Sequence, residues 1–321
     1  RRRLDRLDPL DRLDRLAEER GIELERDAAI GALTTLRVGG PADRMTTVES
    51  TEELVAALEL GRDAAIPAGV LGKGSDIVVA DAGVRGLVIR NRASSIDLDG
   101  RTVEAGSGAA MAALVKRCTA AGLAGIEFGI SIPGSVGGAV WANAGAHGGE
   151  MRDIVQSVSA WSNGGVVSLS NDECAFAYRE SRFKRSGEVV LAATLGLAEG
   201  DPAVIERRVA ADQAQRRATQ PLGDQNAGSI FRNPSGDHAG RLVDVAGLKG
   251  FRIGSASVST VHANFIVVDR GGSAADVRAV GEHARAVVAD RFGVELQYEV
   301  EFVGEWPASL DPAASSLAGV R

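Results

Sequence analysis

At 321 residues the chain is too long for one small core and suits two or three subdomains. Hydrophobic residues make up 45% and charged residues 25%, the ordinary balance of a soluble globular enzyme. The net charge of −7 excludes a general nucleic-acid binder, which needs a basic face, but leaves room for a local cationic pocket.

Cys118 and Cys174 are the only cysteines, too few for a disulfide framework and without metal spacing. A reduced cytoplasmic setting is the expectation. No apolar run reaches membrane-spanning length and no secretory signal stands at the start. The opening "RRRLDRL" lacks Met and reads as a trimmed start. The 40 glycines are many, and small residues crowd 72–83, 104–108 and 129–149, where the backbone is expected to approach something closely.

Leu4, Leu7, Leu10, Leu13 and Leu16 recur every third residue, and Asp8-Pro9 has the form of an N-cap followed by proline at the first helical position. The spacing predicts a packing helix over about 9–20. "RMTTVES" reads as a strand and 51–63 as a helix. "VLGKGSDIVVADAGVRGLVIRN" reads as three strands separated by turns. Hairpins are predicted at Asp99-Gly100 and at Asn163-Gly164, with a helix over 109–122 between them. "VVLAATLGL" is a strand, and helices are expected over 202–218, 238–246 and 273–291. "NFIVVD" and "VELQYEVEFVG" read as strands. No internal repeat is present. The texture changes near residue 200, from strands and glycine to alternating strands and helices, and marks a domain boundary. The expected division is a helical segment 1–30, domains over 31–200 and 201–306, and a disordered tail over 307–321.

The glycine loops "LGKGSD" (71–76) and "IPGSVGG" (132–138) follow strands. Consecutive backbone N–H groups in such loops cradle anions, and glycine lets them reach a pyrophosphate. Neither loop is a G-x-G-x-x-G fingerprint or a Walker A sequence. With "RVGGPA" (37–42) and "NAGAHGG" (143–149) they point to a cofactor site. "FAYRESRFK" (176–184) reads either as a solvated strand edge or as a frame holding Arg179 against an anion. Glu295, Glu299 and Glu301 share one face of the predicted last strand. Three like charges there are solvent-exposed, or partly protonated in a site. His147 and His262 are acid–base or flavin-attachment candidates, though His262 fits better as a hydrogen-bonded residue preceding a buried strand. Ser229, in "QNAGSIFRNP", has no histidine near it in sequence to activate it as a nucleophile.

Taken in order, several motifs resemble one family. They are "TTLRVGGPA", "LGKGSDIVVADAGVRGLVI", "IPGSVGGAVWANAGAHGGEMRD", "YRESRFK", "RRATQP", "NAGSIFRNP", "AGRLVDVAGLKG" and "SVSTVHANFIVV". The family is the UDP-N-acetylenolpyruvoylglucosamine reductases, or MurB proteins, and the match runs from about residue 30 to 304. Little chain separates "YRESRFK" from "RRATQP", so the resemblance is to the shorter class, without an inserted substrate-capping loop. The resemblance implies an α+β architecture: a two-lobed FAD-binding domain of the vanillyl-alcohol-oxidase (PCMH) type, and a C-terminal α+β substrate-binding domain. It implies noncovalent FAD, NADPH as co-substrate, UDP-N-acetylglucosamine-enolpyruvate as the second small-molecule substrate, and a monomeric cytoplasmic enzyme of peptidoglycan synthesis. Nucleic acid, metal and membrane insertion have no part in it.

In the implied reaction, hydride passes from NADPH by way of the flavin to the methylene carbon of the enolpyruvyl ether. Negative charge develops beside the substrate carboxylate, where donors are needed. Arg179 matches the family's catalytic arginine, Glu299 its catalytic glutamate and Ser229 its proton donor. Cofactor contacts are implied at Arg37, Gly39, Gly72, Lys73, Gly74, Ser75, Asp76, Pro133, Gly134, Ser135, Gly137, Gly138, Asn143 and Gly145. Substrate contacts are implied at Tyr178, Gln220, Asn233 and His262. The family usually has glycine at the positions of Lys73 and Ser131, asparagine at Asp76, tyrosine at His147, and commonly arginine at Glu301. An arginine there would favour a substrate diphosphate and Glu301 would not. Two alternatives are another FAD-dependent oxidase of the same fold and a catalytically degenerate FAD- or nucleotide-sugar-binding relative.

Overall fold

The computed structural model describes residues 8–307 and 310. Leu4 and Leu7 of the leucine repeat, and all of the predicted tail except Pro307 and Leu310, lie outside the described residues. Helix α1 is Pro9–Arg20; the Asp8 carboxylate accepts from Leu10 N–H at 2.9 Å, and Gly21 ends the helix at φ 68°. Its buried Leu13 and Ala17 meet α2, Thr51–Ala64, in one apolar cluster. Beneath lie β1 (Glu25–Ala28), β2 (Ala42–Val48), β3 (Ala68–Leu71), β4 (Ile77–Val79) and β5 (Val84–Asn91). The sheet order is β1-β2-β5-β3, with only β1 antiparallel. The run Leu87-Val88-Ile89 is wholly buried, as a parallel strand covered on both faces requires.

A second, antiparallel sheet follows. Its strands are β6 (Ile96–Asp99), β7 (Thr102–Gly106), β8 (Val155–Ser162), β9 (Gly165–Ser170) and β10 (Val189–Gly196), in the order β9-β8-β10-β7-β6. Both predicted hairpins form. Asn163 and Gly164 take φ 50° and 85°, the double left-handed geometry of a type I′ turn. Helices α3 (Met111–Ala120) and α4 (Val136–Ala142) share this lobe's core. The glycine-rich sequence hides α4, which no hydrophobic period announces. The charged segment 176–184 is not a strand edge: it turns at Tyr178-Arg179 and continues into α5, Phe183–Ser186.

The long helix α6, Pro202–Thr219, leads to a third sheet. It holds β11 (Gln225–Ser229), β12 (Arg252–Ile253), β13 (Ala256–Val258) and β14 (Phe265–Val268), ordered β11-β14-β13-β12. Helices α7 (Ala239–Val245) and α8 (Ala274–Phe292) complete its core. The predicted strand over 294–304 is shorter than its sequence indicates. Only β15, Glu301–Val303, is a strand, and it runs parallel to β4 in the first lobe. The residues before it change partner: Glu299 N–H donates to Ile230 C=O at 2.9 Å, and Arg232 N–H to Gln297 C=O at 2.9 Å. Glu295 therefore stands apart from the other two glutamates, which line one cavity. Glu295 is exposed, while Glu299 and Glu301 turn to separate cations.

The thiols of Cys118 and Cys174 are free and buried, and burial pushes both up to about 11. Among the described residues no helix is long and apolar enough to cross a membrane, and no three His, Cys, Asp or Glu side chains could hold a metal ion.

Candidate active site

A cavity of about 1790 Å³ opens between the three sheets. Small-molecule sites run to roughly 300–1,000 Å³, so this one has room for a dinucleotide and a second substrate. Two glycine loops build its wall. The first, Gly72–Asp76, precedes β4; the second, Pro133–Gly138, leads into α4. A Cβ on Gly72 would stand 2.5 Å from Ser135 Oγ, and one on Gly137 would stand 2.7 Å from Ser107 Cβ. Only glycine lets the loops approach this closely, and their backbones line the cavity together. This cradle fits an FAD pyrophosphate.

Arg179 enters from the turn at 177–180, closed by Ala177 N–H to Glu180 C=O at 3.0 Å and the reciprocal bond at 3.1 Å. Its backbone takes φ 53°, a strained conformation for a residue with a Cβ. The guanidinium donates from Nε to Glu299 Oε1 at 2.7 Å and from Nη2 to Gly145 C=O at 2.8 Å. Asn143 steadies this turn from below. Its Nδ2 donates to Ala177 C=O at 2.8 Å and to Glu150 at 3.1 Å, and its Oδ1 accepts from Arg152 N–H at 2.9 Å.

Glu299 meets Arg179 from the C-terminal side of the cavity. Burial pushes its carboxyl above the usual glutamate range, outweighing the lowering influence of Arg179, Lys184 and Arg232. Lys184 Nζ lies 3.2 Å from Glu301 and 4.3 Å from the Trp141 ring centroid. Lys184 belongs to the quoted "YRESRFK" motif, yet sequence reasoning gave it no role.

Ser229 ends β11. The register of β11 on β14 shifts between Asn226 and Ser229, with Gly228 at φ 80°. A bulge of this kind re-aims the following side chain. Ser229 lines the cavity, and its hydroxyl makes no hydrogen bond among the described residues. The chain beyond it is locked by Asn264, 4% exposed, whose side chain accepts from Phe231 N–H at 3.1 Å and donates to Phe231 C=O at 2.8 Å. Asn264→Ala leaves both Phe231 groups buried and unpaired, so a loss of about 1–3 kcal/mol is expected. A urea titration checks this: the midpoint falls while the slope is unchanged.

The cavity also gathers Arg37, Lys73, Gly74, Ser75, Asp76, Pro133, Gly134, Gly138, Gly145, Gln220, Asn233 and His262. Three expected contacts stand elsewhere. Gly39 packs on Val79, where a Cβ would meet the Val79 carbonyl oxygen at 2.4 Å. Asn143 is sealed beneath the Arg179 turn. Tyr178 lies outside the lining, and its hydroxyl accepts from Asn233 N–H at 3.3 Å. His262 fits the structural reading, with Nδ1 accepting from Asn264 N–H at 3.2 Å, and burial keeps it below the usual histidine range. His147 Nε2 lies 2.8 Å from Ser131 Oγ, and its Nδ1 lies 3.4 Å from Asp212 on α6. Arg216, also on α6 and the first residue of the "RRATQP" motif, lines the cavity as well.

Comparison with known proteins places this geometry. Residues 220–303 match the UDP-N-acetylenolpyruvoylglucosamine reductase C-terminal domain, and residues 42–170 match an FAD binding domain. UDP-N-acetylenolpyruvoylglucosamine reductase 2 of Symbiobacterium thermophilum is 43% identical over 277 residues, spanning 85% of this chain and 90% of that one. The chain belongs to the UDP-N-acetylenolpyruvoylglucosamine reductase family. A family member from Anaeromyxobacter sp. (strain Fw109-5) is 44% identical over 288 residues, spanning 89% of this chain and 90% of that one. The crystal structure of the Thermus caldophilus reductase superposes with TM-score 0.76 at 37% identity, covering 89% of this chain and 99% of that one. The chain is accordingly an FAD-dependent oxidoreductase of α+β fold, as its motifs led one to expect.

Proposed function

We propose that the chain reduces UDP-N-acetylglucosamine-enolpyruvate to UDP-N-acetylmuramate with NADPH, using Ser229 as the proton donor. One observation carries this reading. An Arg179–Glu299 ion pair of 2.7 Å and the unpartnered Ser229 hydroxyl converge on one cavity from three distant stretches of chain. Bound FAD supplies the hydride chemistry, and the Gly72–Asp76 and Pro133–Gly138 loops are the residues that would hold it.

The protein groups answer to the charge that the substrate develops. Arg179 holds the substrate carboxylate and offsets negative charge on its oxygens. Glu299, biased by burial toward its neutral form, donates to the same oxygens. Ser229 delivers a proton to the carbon beside the carboxylate. A hydroxyl is a weak acid, but a carbanion-like carbon is a strong base, so no activating histidine is required. Gln220 and Arg216, at the α6 end of the cavity, face the nucleotide part of the substrate together with Asn233, and His262 lines the same cavity.

Following NADPH absorbance and dissolved oxygen together tests this. NADPH consumption is expected only when the enolpyruvyl nucleotide is present, without oxygen uptake. Consumption that needs no nucleotide and draws oxygen would make the chain an oxidase instead.

A further inference from the structure

Asp76 closes the first glycine loop, beside the strand pair that joins the first lobe to the C-terminal segment. Its backbone carbonyl accepts from Glu301 N–H at 3.0 Å. Its carboxyl is enclosed by protein yet keeps surface toward the cavity, and it makes no hydrogen bond or ion pair among the described residues. Four charged side chains bear on it. Glu299 and Glu301 approach from the C-terminal segment, Arg179 from the 177–180 turn and Lys184 from α5. Arg179 is committed to Glu299 at 2.7 Å and Lys184 to Glu301 at 3.2 Å. Lys73, on the same loop, is exposed and makes no ion pair among the described residues. An ionised Asp76 in this enclosed place would stand beside two other acidic side chains whose cations are already engaged.

We propose that Asp76 meets the bound flavin cofactor as a neutral carboxylic acid and donates a hydrogen bond to it, so that FAD is held less tightly once this proton is lost. The proposal rests on the FAD assignment and adds a proton-dependent donor to it. A carboxylate only accepts hydrogen bonds, whereas a carboxylic acid also donates. A flavin ring system presents more acceptor than donor atoms, and the dinucleotide's phosphates are anionic, so the acid form suits the ligand and the ionised form opposes it. Desolvation and the two glutamates together push Asp76 well above the usual aspartate range, against the pull of Lys184 and Arg179. An ionised Asp76 also disfavours adding electrons to a neighbouring flavin, so the midpoint potential falls with the same proton.

The FAD dissociation constant and midpoint potential of the holoenzyme, measured from about pH 5 to about pH 9, test this in wild type and Asp76→Asn. The amide keeps the donor and cannot ionise. Wild type is expected to lose affinity by about tenfold or more as pH rises, while Asp76→Asn stays flat. Glu301→Gln provides a second reading that leaves Asp76 in place. It removes a charge that favours the acid form, so the loss of affinity should move to lower pH. Parallel, superimposable pH dependences in wild type and both variants overturn the proposal while leaving the cofactor assignment intact. Failure of wild type to hold FAD at any pH overturns both.

Discussion

Ser229→Ala is expected to leave NADPH reduction of the bound flavin intact and to slow conversion of the enolpyruvyl nucleotide by about 10²–10⁴-fold, the range a positioned proton donor contributes. Stopped-flow absorbance separates the two steps. The Ser229 hydroxyl has no hydrogen-bond partner among the described residues, so folding stability should change by no more than about 0.5 kcal/mol. The loss is then chemical, because the bulge at Gly228 and the Asn264 lock remain. Ser229→Cys restores a donor of lower pKa and should recover part of the rate. Unchanged substrate reduction in Ser229→Ala would assign the proton to another group.

Arg179→Met is expected to lower substrate turnover by about 10²–10³-fold, the effect of losing one charge-stabilising donor from an enclosed site. The guanidinium uses Nε and Nη2 on two partners in different directions, Glu299 and Gly145. A lysine reaches one of them at most, so Arg179→Lys should recover little. The pH profile carries a further signature. Glu299 already stands above the usual glutamate range through burial, with Arg179 the largest opposing influence. Without Arg179 the carboxyl rises further. If the neutral acid is the working form, turnover falls as pH climbs through its ionisation, and in Arg179→Met that fall moves to higher pH. A rise of turnover through the same ionisation, itself moved to higher pH in Arg179→Met, would mean that the ionised form works.

Much of the site was legible because its parts are local. "LGKGSD" and "IPGSVGG" announce close backbone approach, and Ser229 stands out for lacking a histidine. Burial was not legible. Glu295, Glu299 and Glu301 looked alike on one strand face; only the last two enter the cavity, where the chain leaves Ile230 to join β4. Asn143 looked like a cofactor ligand because it sits in a glycine motif. Its left-handed φ of 43° makes it the C-cap of α4, and its amide supports the Arg179 turn. Lys184 passed unnoticed because nothing local to "SRFK" shows that it will lie over Trp141 beside Glu301. The unpartnered carboxyl of Asp76 became visible only once three separate segments enclosed it.

The most direct test is a pair of anaerobic half-reactions on the wild-type holoenzyme. NADPH should bleach the flavin absorbance, and adding UDP-N-acetylglucosamine-enolpyruvate should restore it while forming UDP-N-acetylmuramate. A reduced enzyme that oxygen reoxidises and the enolpyruvyl nucleotide does not would contradict the assignment.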